Sequence, residues 1–386
     1  MGSFVLLGAL VAAVVVGVWG RVVEPTNDVV GEHNLDDTEL VKAFAVFRHG
    51  DRTADQEELE LYSNNLNYND VFFPYGMKAL TNKGKQRAYS VGEYLRNRYD
   101  GLISKLYLPE DIAVRTTPYV RTQMSALAAL AALYPPMPEQ KWNPTLDWQP
   151  IPYNTVESSV DDLIYWSTCP RHGWLKNQIY ESNPEMMTLI KPHEELFSYM
   201  SEHSGNNITI PEHIFTLDNL FQTLGNVEIT PPQWAIDVMP QIKEMTKIKY
   251  TLLYKIKLIV VSTGVLLNEV LEVSEAAVSG NTEQPKLWLY SAHENNVAAL
   301  MSAAGVFEAH QPSYGSTFSL ELRRHRTTGE YGFTAVYARN AGGPEEILPI
   351  PECENPIFCN YATFVDLTKD SVLSREDYQT QCRIME

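Results

Sequence analysis

The sequence predicts an α/β fold: a mixed, mainly parallel central sheet with helices on both faces and an inserted, mainly helical cap. The short apolar run at residues 43–47 has the character of a strand buried on both faces, and further short strands are read at 112–114 and 286–291. They alternate with segments whose apolar residues recur at helical spacing. Between about residues 141 and 240 the alternation is lost, prolines are frequent and tryptophans cluster (Trp142, Trp148, Trp166, Trp174, Trp234), which marks the insertion.

Taken in order, Ala43, Phe44, Ala45, Val46 and Phe47 form the first strand, which stops abruptly at Arg48-His49-Gly50-Asp51-Arg52. A helix follows from Thr81, where Ala88, Val91 and Leu95 share a face with Lys and Arg between them. Ile112, Ala113 and Val114 make a second strand ending at Arg115. Pro118 suits the first turn of the next helix, whose apolar stripe is Met124, Leu127, Leu130 and Ala131 and which Pro135-Pro136 stops. The uncharged segment 258–268 lies between Lys257 and Glu269 and reads as a core helix. A third strand runs to Ser291 and leads through Ala292-His293-Glu294 into a helix carrying Val297, Leu300 and Met301. Phe318, Leu320 and Leu322 alternate with polar residues as in a half-buried strand, and residues 327–330 turn the chain into a partner at 333–337. The expected organisation is a signal peptide at 1–20, a discontinuous α/β core at 21–145 and 246–386, and a helical cap at 146–245.

Of 386 residues, 30 are Lys or Arg and 48 are Asp or Glu, for a net charge of −18. An acidic surface repels the phosphate backbone that dominates nonspecific nucleic-acid affinity, so no nucleic-acid partner is expected. Residues 1–20 lack any charged side chain, carry a long apolar run and end at the small Gly20, which predicts a cleaved signal peptide rather than a retained anchor. The expected product is secreted, without stable membrane insertion. Four cysteines in a secretory context suggest two disulfides out of three possible pairings. Cys353 and Cys359 enclose a short Asn- and Pro-rich loop and are paired, leaving Cys169 with Cys382. No His lies at zinc-ligand spacing from them. Asn207-Ile208-Thr209 is an N-glycosylation sequon in a polar stretch, so Asn207 is a candidate glycan acceptor.

Three strands end in Arg or His, at Arg48, Arg115 and His293. Ligands of α/β sheets collect at the carboxyl ends of strands, so neighbouring strands bring these residues to one point. There Arg48, His49, Arg52, Arg115, His293 and Glu294 gather three permanent cations, two imidazoles and a carboxyl group. Guanidinium forks bind phosphate oxygens, and phosphoryl transfer needs positive groups on those oxygens, an in-line nucleophile and an acid for the leaving oxygen. His49 is the candidate nucleophile, kept neutral by its arginine neighbours. Glu294 is the candidate proton donor. The arginines supply the positive charge, so no metal or other cofactor is called for. A second Arg-His-Gly, Arg171-His172-Gly173, lacks an Arg matching Arg52 and is read as coincidence.

Residues 44–53 resemble the signature of the histidine acid phosphatases, in the phosphoglycerate-mutase-like superfamily. Residues 76–86 resemble the family's next block, residues 114–126 the block with a further phosphate-binding arginine, and Ser291-Ala292-His293-Glu294 the distal His-Asp block. The blocks run in the family's order over nearly the whole chain. The secreted form is similar to the prostatic, lysosomal and arthropod venom or salivary members. The resemblance implies that His49 accepts the phosphoryl group, that Arg48, Arg52, Arg115 and His293 bind phosphate, and that the carboxyl group beside His293 donates the proton. It also implies a small phosphomonoester substrate, a cap inserted between the Arg115 and His293 blocks, and a homodimer as in many relatives.

Two features depart from the pattern. Glu294 stands where the family has Asp, adding one methylene to the proton donor, and the cysteines for a third disulfide are missing. The reading is therefore a secreted, metal-independent acid phosphatase. The alternative is a secreted phosphate-binding protein with little turnover because of Glu294. A mutase is disfavoured by the secretory segment. A phytase-like specificity is disfavoured because a hexakisphosphate calls for more basic residues than three arginines. The substrate-determining rim is expected at residues 51–73 and in the cap.

Overall fold

The computed structural model describes residues 35–62, 67–254 and 256–384. The expected signal segment lies outside them. The sheet contains β1 (Thr38–Arg48), β2 (Ile112–Thr116), β3 (Asn154–Thr155), β4 (Leu287–Ala292), β5 (Thr317–His325), β6 (Tyr331–Ala338), β7 (Glu345–Leu348) and β8 (Cys359–Asn360). Its order is β3-β2-β4-β1-β5-β6-β7, with β8 also paired to β6. The β3, β2, β4 and β1 strands are mutually parallel, and β5, β6 and β7 add an antiparallel flank.

The β1 strand is buried on both faces, as its unbroken apolar run predicts. Phe44 and Val46 point into one core, shared with Leu217 and Leu267 of the helical region. Ala43, Ala45 and Phe47 point into the other, against Val91 and Leu95 of helix Asn82–Arg98 and Leu130 of helix Val120–Leu133. Strand alternation thus makes one short segment the centre of a three-layer stack. Between Trp166 and Val278 the described residues form only helices, turns and loops. The edge strands β3, β7 and β8 went unread in the sequence: two are two residues long, and β7 carries Glu345 and Glu346, charges of the kind that blunt a sheet edge. The Asn154–Thr155 strand falls within the expected cap yet pairs with β2.

Parallel register fixes the site. Arg48 lies opposite Ala292 across β1 and β4, and Thr116 opposite Ser291 across β2 and β4. The next residues continue the ladder, with His49 N–H donating to Ala292 O (3.0 Å) and Thr117 N–H to Ser291 O (3.2 Å). His49, Thr117 and His293 therefore leave the sheet side by side. The loop after His49 lies against the start of helix Asn82–Arg98. Thr81 caps that helix by accepting from Gly84 N–H (3.0 Å), and Thr81 N–H donates to Asp51 O (3.0 Å). The buried Asp51 side chain pairs with Arg87 and Lys83. A methyl group on Gly50 would sit 2.0 Å from Gly84 O, and one on Gly84 would sit 2.1 Å from Asp51 O. Only two glycines let the loop and helix approach so closely.

Both expected disulfides form, Cys169–Cys382 and Cys353–Cys359. The first ties the start of helix Pro170–Ser182 to the C-terminal segment. No helix among the described residues is long and apolar enough to cross a membrane.

Gly84→Ala is expected to cost about 1–3 kcal/mol in urea unfolding through overpacking against the loop. Gly173→Ala, in a helix with nothing within 4 Å of the added methyl, is expected to be neutral or stabilising by up to about 1 kcal/mol. Equal effects at the two positions would contradict the close-approach account.

Candidate active site

At the carboxyl ends of β1, β4 and β2 lies a cavity of about 380 Å³, lined among others by His49, Arg52, Arg121, His293 and Glu294. His49 is 1% exposed. Its Nδ1 lies 2.8 Å from Gly50 O, and Arg121 Nε lies 3.2 Å from its Nε2. A carbonyl oxygen only accepts and a guanidinium only donates, so Nδ1 carries the hydrogen and Nε2 presents its lone pair. Burial, reinforced by Arg121, His293, Arg48 and Arg52, holds the His49 pKa well below its ordinary value. The ring stays neutral in mild acid.

Each arginine has its own carboxylate. Arg48 Nε meets Glu294 at 3.0 Å. Arg52 donates from both Nη atoms to Glu58, at 2.9 and 2.5 Å. Arg121 Nη1 meets Asp55 at 3.5 Å. Arg48 Nη1 also donates to Pro312 O (2.7 Å), and its guanidinium stacks 3.9 Å from the Tyr314 ring centroid. Arg48 Nη2 and Arg52 Nε are buried and have no hydrogen-bond partner among the described residues. A buried guanidinium donor left open beside a polar cavity fits an anionic ligand oxygen.

His293 caps helix Glu294–Ala303 in a reciprocal box with Asn296, and its Nε2 lies 3.0 Å from Thr117 Oγ1. Burial and then Arg121 lower its pKa to about 3. Glu294 is the first residue of that helix. Burial works to raise its pKa, but Arg48 and His293 outweigh it and hold the carboxyl at about 2. Glu294 also lines the cavity while its carboxylate reaches Arg48.

The structure brings His49, Arg52, His293 and Glu294 to one cavity, with Arg48 buried against Glu294. It corrects the reading of Arg115. That side chain pairs with Asp161 at 2.8 Å and lines a different cavity with Trp288, Tyr290 and Arg375. The cause is strand alternation. Arg115 sits inside β2, opposite Tyr290, and projects from the sheet face instead of over its end. Arg121, in the first turn of helix Val120–Leu133, takes its place. Its sequence signal was its position just past a strand end, at the start of the following helix, where anions are favoured. Asp55, Glu58 and Tyr119, whose ring lies 4.3 Å from the Arg121 guanidinium, were also unread. Arg171 and His172 lie outside the cavity, with His172 packed against Trp166.

The family model of the Histidine phosphatase superfamily (branch 2) matches residues 39–335. The chain is 33% identical to prostatic acid phosphatase of Bos taurus over 88% of its length and 86% of that protein's. It is 29% identical to a venom acid phosphatase of Apis mellifera, covering 88% and 87%. Among solved structures it is similar in fold to the Hafnia alvei phytase in complex with myo-inositol hexakis sulphate. That likeness has a TM-score of 0.63 at 15% identity and covers 90% of this chain and 99% of that one.

Arg121→Ala is expected to weaken inorganic phosphate binding, read by calorimetry, by about 10–100-fold, the range for a charge-assisted hydrogen-bond donor. Arg115→Ala is expected to change it less than about threefold, because that arginine faces another cavity. The opposite ranking would contradict the placement of these residues.

Proposed function

The chain belongs to the histidine phosphatase superfamily, branch 2, and is an acid phosphatase; on that premise we propose that it is secreted and hydrolyses small phosphate monoesters through a phosphohistidine on His49, with Glu294 as proton donor. The observation that carries this reading is the fixed tautomer of His49, whose Nε2 lone pair faces the Arg121 guanidinium in the cavity that Arg52 also lines.

In the first step Nε2 attacks phosphorus in line as the bond to the ester oxygen breaks. Arg48, Arg52 and Arg121, with His293 alongside, hold the phosphoryl oxygens, and Glu294 gives its proton to the leaving alkoxide. In the second step water attacks phosphorus, the P–N bond breaks, and Glu294 takes the proton back. The products are an alcohol and inorganic phosphate, and His49 ends neutral as it began.

A carboxyl held at about 2 is ionised in the free protein, so the proton must arrive with the substrate. A phosphomonoester has a second pKa of about 6, and its monoanion carries that proton in. Once bound, the phosphoryl charge engages the arginines that held Glu294 down, and the carboxyl accepts the proton. Acidic operation then follows from the substrate's ionisation and from a His49 that remains unprotonated below its ordinary pKa.

Of the expected cap, 146–245, the part beyond the Asn154–Thr155 strand acts as the cap and supplies Trp166, Glu212 and Phe215 to the cavity wall. Secretion rests on the apolar segment before Arg21 and is in keeping with two disulfides. Asn207 is exposed in a loop and is the proposed glycan site.

The test is hydrolysis of p-nitrophenyl phosphate in the presence of EDTA. The parent is expected to turn over and His49→Ala to lose activity by about 10⁴-fold or more. The parent's kcat/KM is expected to fall as pH rises through the substrate's second pKa, about 6, and to show no loss as pH falls through the ordinary histidine pKa. Glu294→Gln is expected to lower kcat about 10²-fold or more on glycerol 2-phosphate and less on p-nitrophenyl phosphate, whose leaving group hardly needs a proton. A folded parent that binds phosphate without turnover would instead establish the binding-protein alternative.

A further inference from the structure

The arginines around His49 are matched one to one by carboxylates, and farther out Glu57 stands without an ion pair among the described residues. Arg48, Arg52 and Arg121 are each paired with a carboxylate, as described above. Of the buried donors left open, Arg52 Nε belongs to a residue that lines this cavity, whereas Arg48, with its open Nη2, lines a neighbouring cavity with Gln222 and Lys243, so the positive charge that Arg52 and Arg121 offer here suits one phosphoryl group. Further out the wall carries acids and aromatic rings. Glu212 faces the cavity but is balanced by Lys249 (3.4 Å) and Lys176 (3.8 Å). Glu57, on helix Gln56–Glu60, is exposed, lines the cavity and has no ion pair among the described residues. Tyr165, Trp166 and Phe215 complete this part of the wall. The Phe215 ring already has an ammonium, Lys249 Nζ, 3.1 Å from its centroid, so these rings are built into a setting that receives cations.

We propose that the cavity selects esters bearing a single phosphoryl group and a cationic leaving group, the class of phosphorylated amino alcohols, with Glu57 as the residue that reads the ammonium. The inference rests on the phosphatase reading above and specifies its substrate class. A second phosphate on the same molecule would lie against Glu57 and the aromatic wall, where the described residues lining the cavity offer no free cation to meet it. An ammonium there meets a carboxylate without an ion-pair partner among the described residues and ring faces that attract positive charge.

The test compares kcat/KM for O-phosphorylethanolamine, glycerol 2-phosphate, inositol hexakisphosphate and p-nitrophenyl phosphate in the parent, Glu57→Gln and Glu57→Lys. The parent is expected to prefer phosphorylethanolamine over glycerol 2-phosphate by about fivefold or more, a size fitting a partly solvated charge pair. The ratio is expected to move toward one in Glu57→Gln and to invert in Glu57→Lys, and inositol hexakisphosphate is expected to be the poorest substrate of the parent. A parent ratio near one, a ratio unmoved by both variants, or inositol hexakisphosphate turned over as well as phosphorylethanolamine overturns the proposal. If p-nitrophenyl phosphate is turned over in those cases, the phosphatase reading stands without it. Absence of turnover on all four substrates overturns both.

Discussion

Three guanidinium groups and two imidazoles share one buried space, and pairing each arginine with a carboxylate is what makes that tolerable. An unpaired buried ion costs several kcal/mol, and three like charges would add mutual repulsion. Here Glu294, Glu58 and Asp55 each sit on one arginine. The pairs leave the imidazoles as the groups that yield, and both are pushed toward the neutral form. A neutral ring with its hydrogen committed to Gly50 O presents its lone pair at Nε2, so the charge balance of the site and the atom proposed to attack are one arrangement.

Linkage gives that arrangement a stability cost in acid. His49 and His293 have folded pKa values below their unfolded ones, and so does Glu294. In each case the unfolded chain binds more protons. Stability is therefore present above the unfolded values and is lost as pH falls, from the ordinary histidine pKa downward and again from the ordinary carboxyl pKa downward.

Much of this was legible in the sequence because strand ends are. Apolar runs stopping at Arg48 and at Ala292 fix where β1 and β4 deliver their next residues, and parallel register does the rest. Arg115 misled because a strand's last arginine and the next helix's first arginine are six residues apart and look equivalent in one dimension. Alternation sends the first to the sheet face and helix geometry sends the second over the strand ends. The carboxylates were less legible still. Glu58 reads locally as an acid in the first turn of a short helix, and it does accept from Asp55 N–H at 2.9 Å there. That the same side chain grips Arg52 depends on a fold of the loop that no periodicity reports. The cap was visible as a change of texture, but which of its side chains face the cavity was not, since helical insertions without a strong repeat carry no register with the sheet.

The central claim is that Nε2 of His49 takes the phosphoryl group. Its most direct measurement is rapid mixing with ³²P-labelled substrate, quenching in alkaline denaturant to preserve a P–N bond, and peptide mapping of the label. Phosphorylation at His49 gives a transient burst of acid-labile, alkali-stable phosphate on the peptide containing that residue, bonded at Nε2. Label on another residue, or turnover at full rate with no covalent phosphate during the pre-steady state, would contradict it.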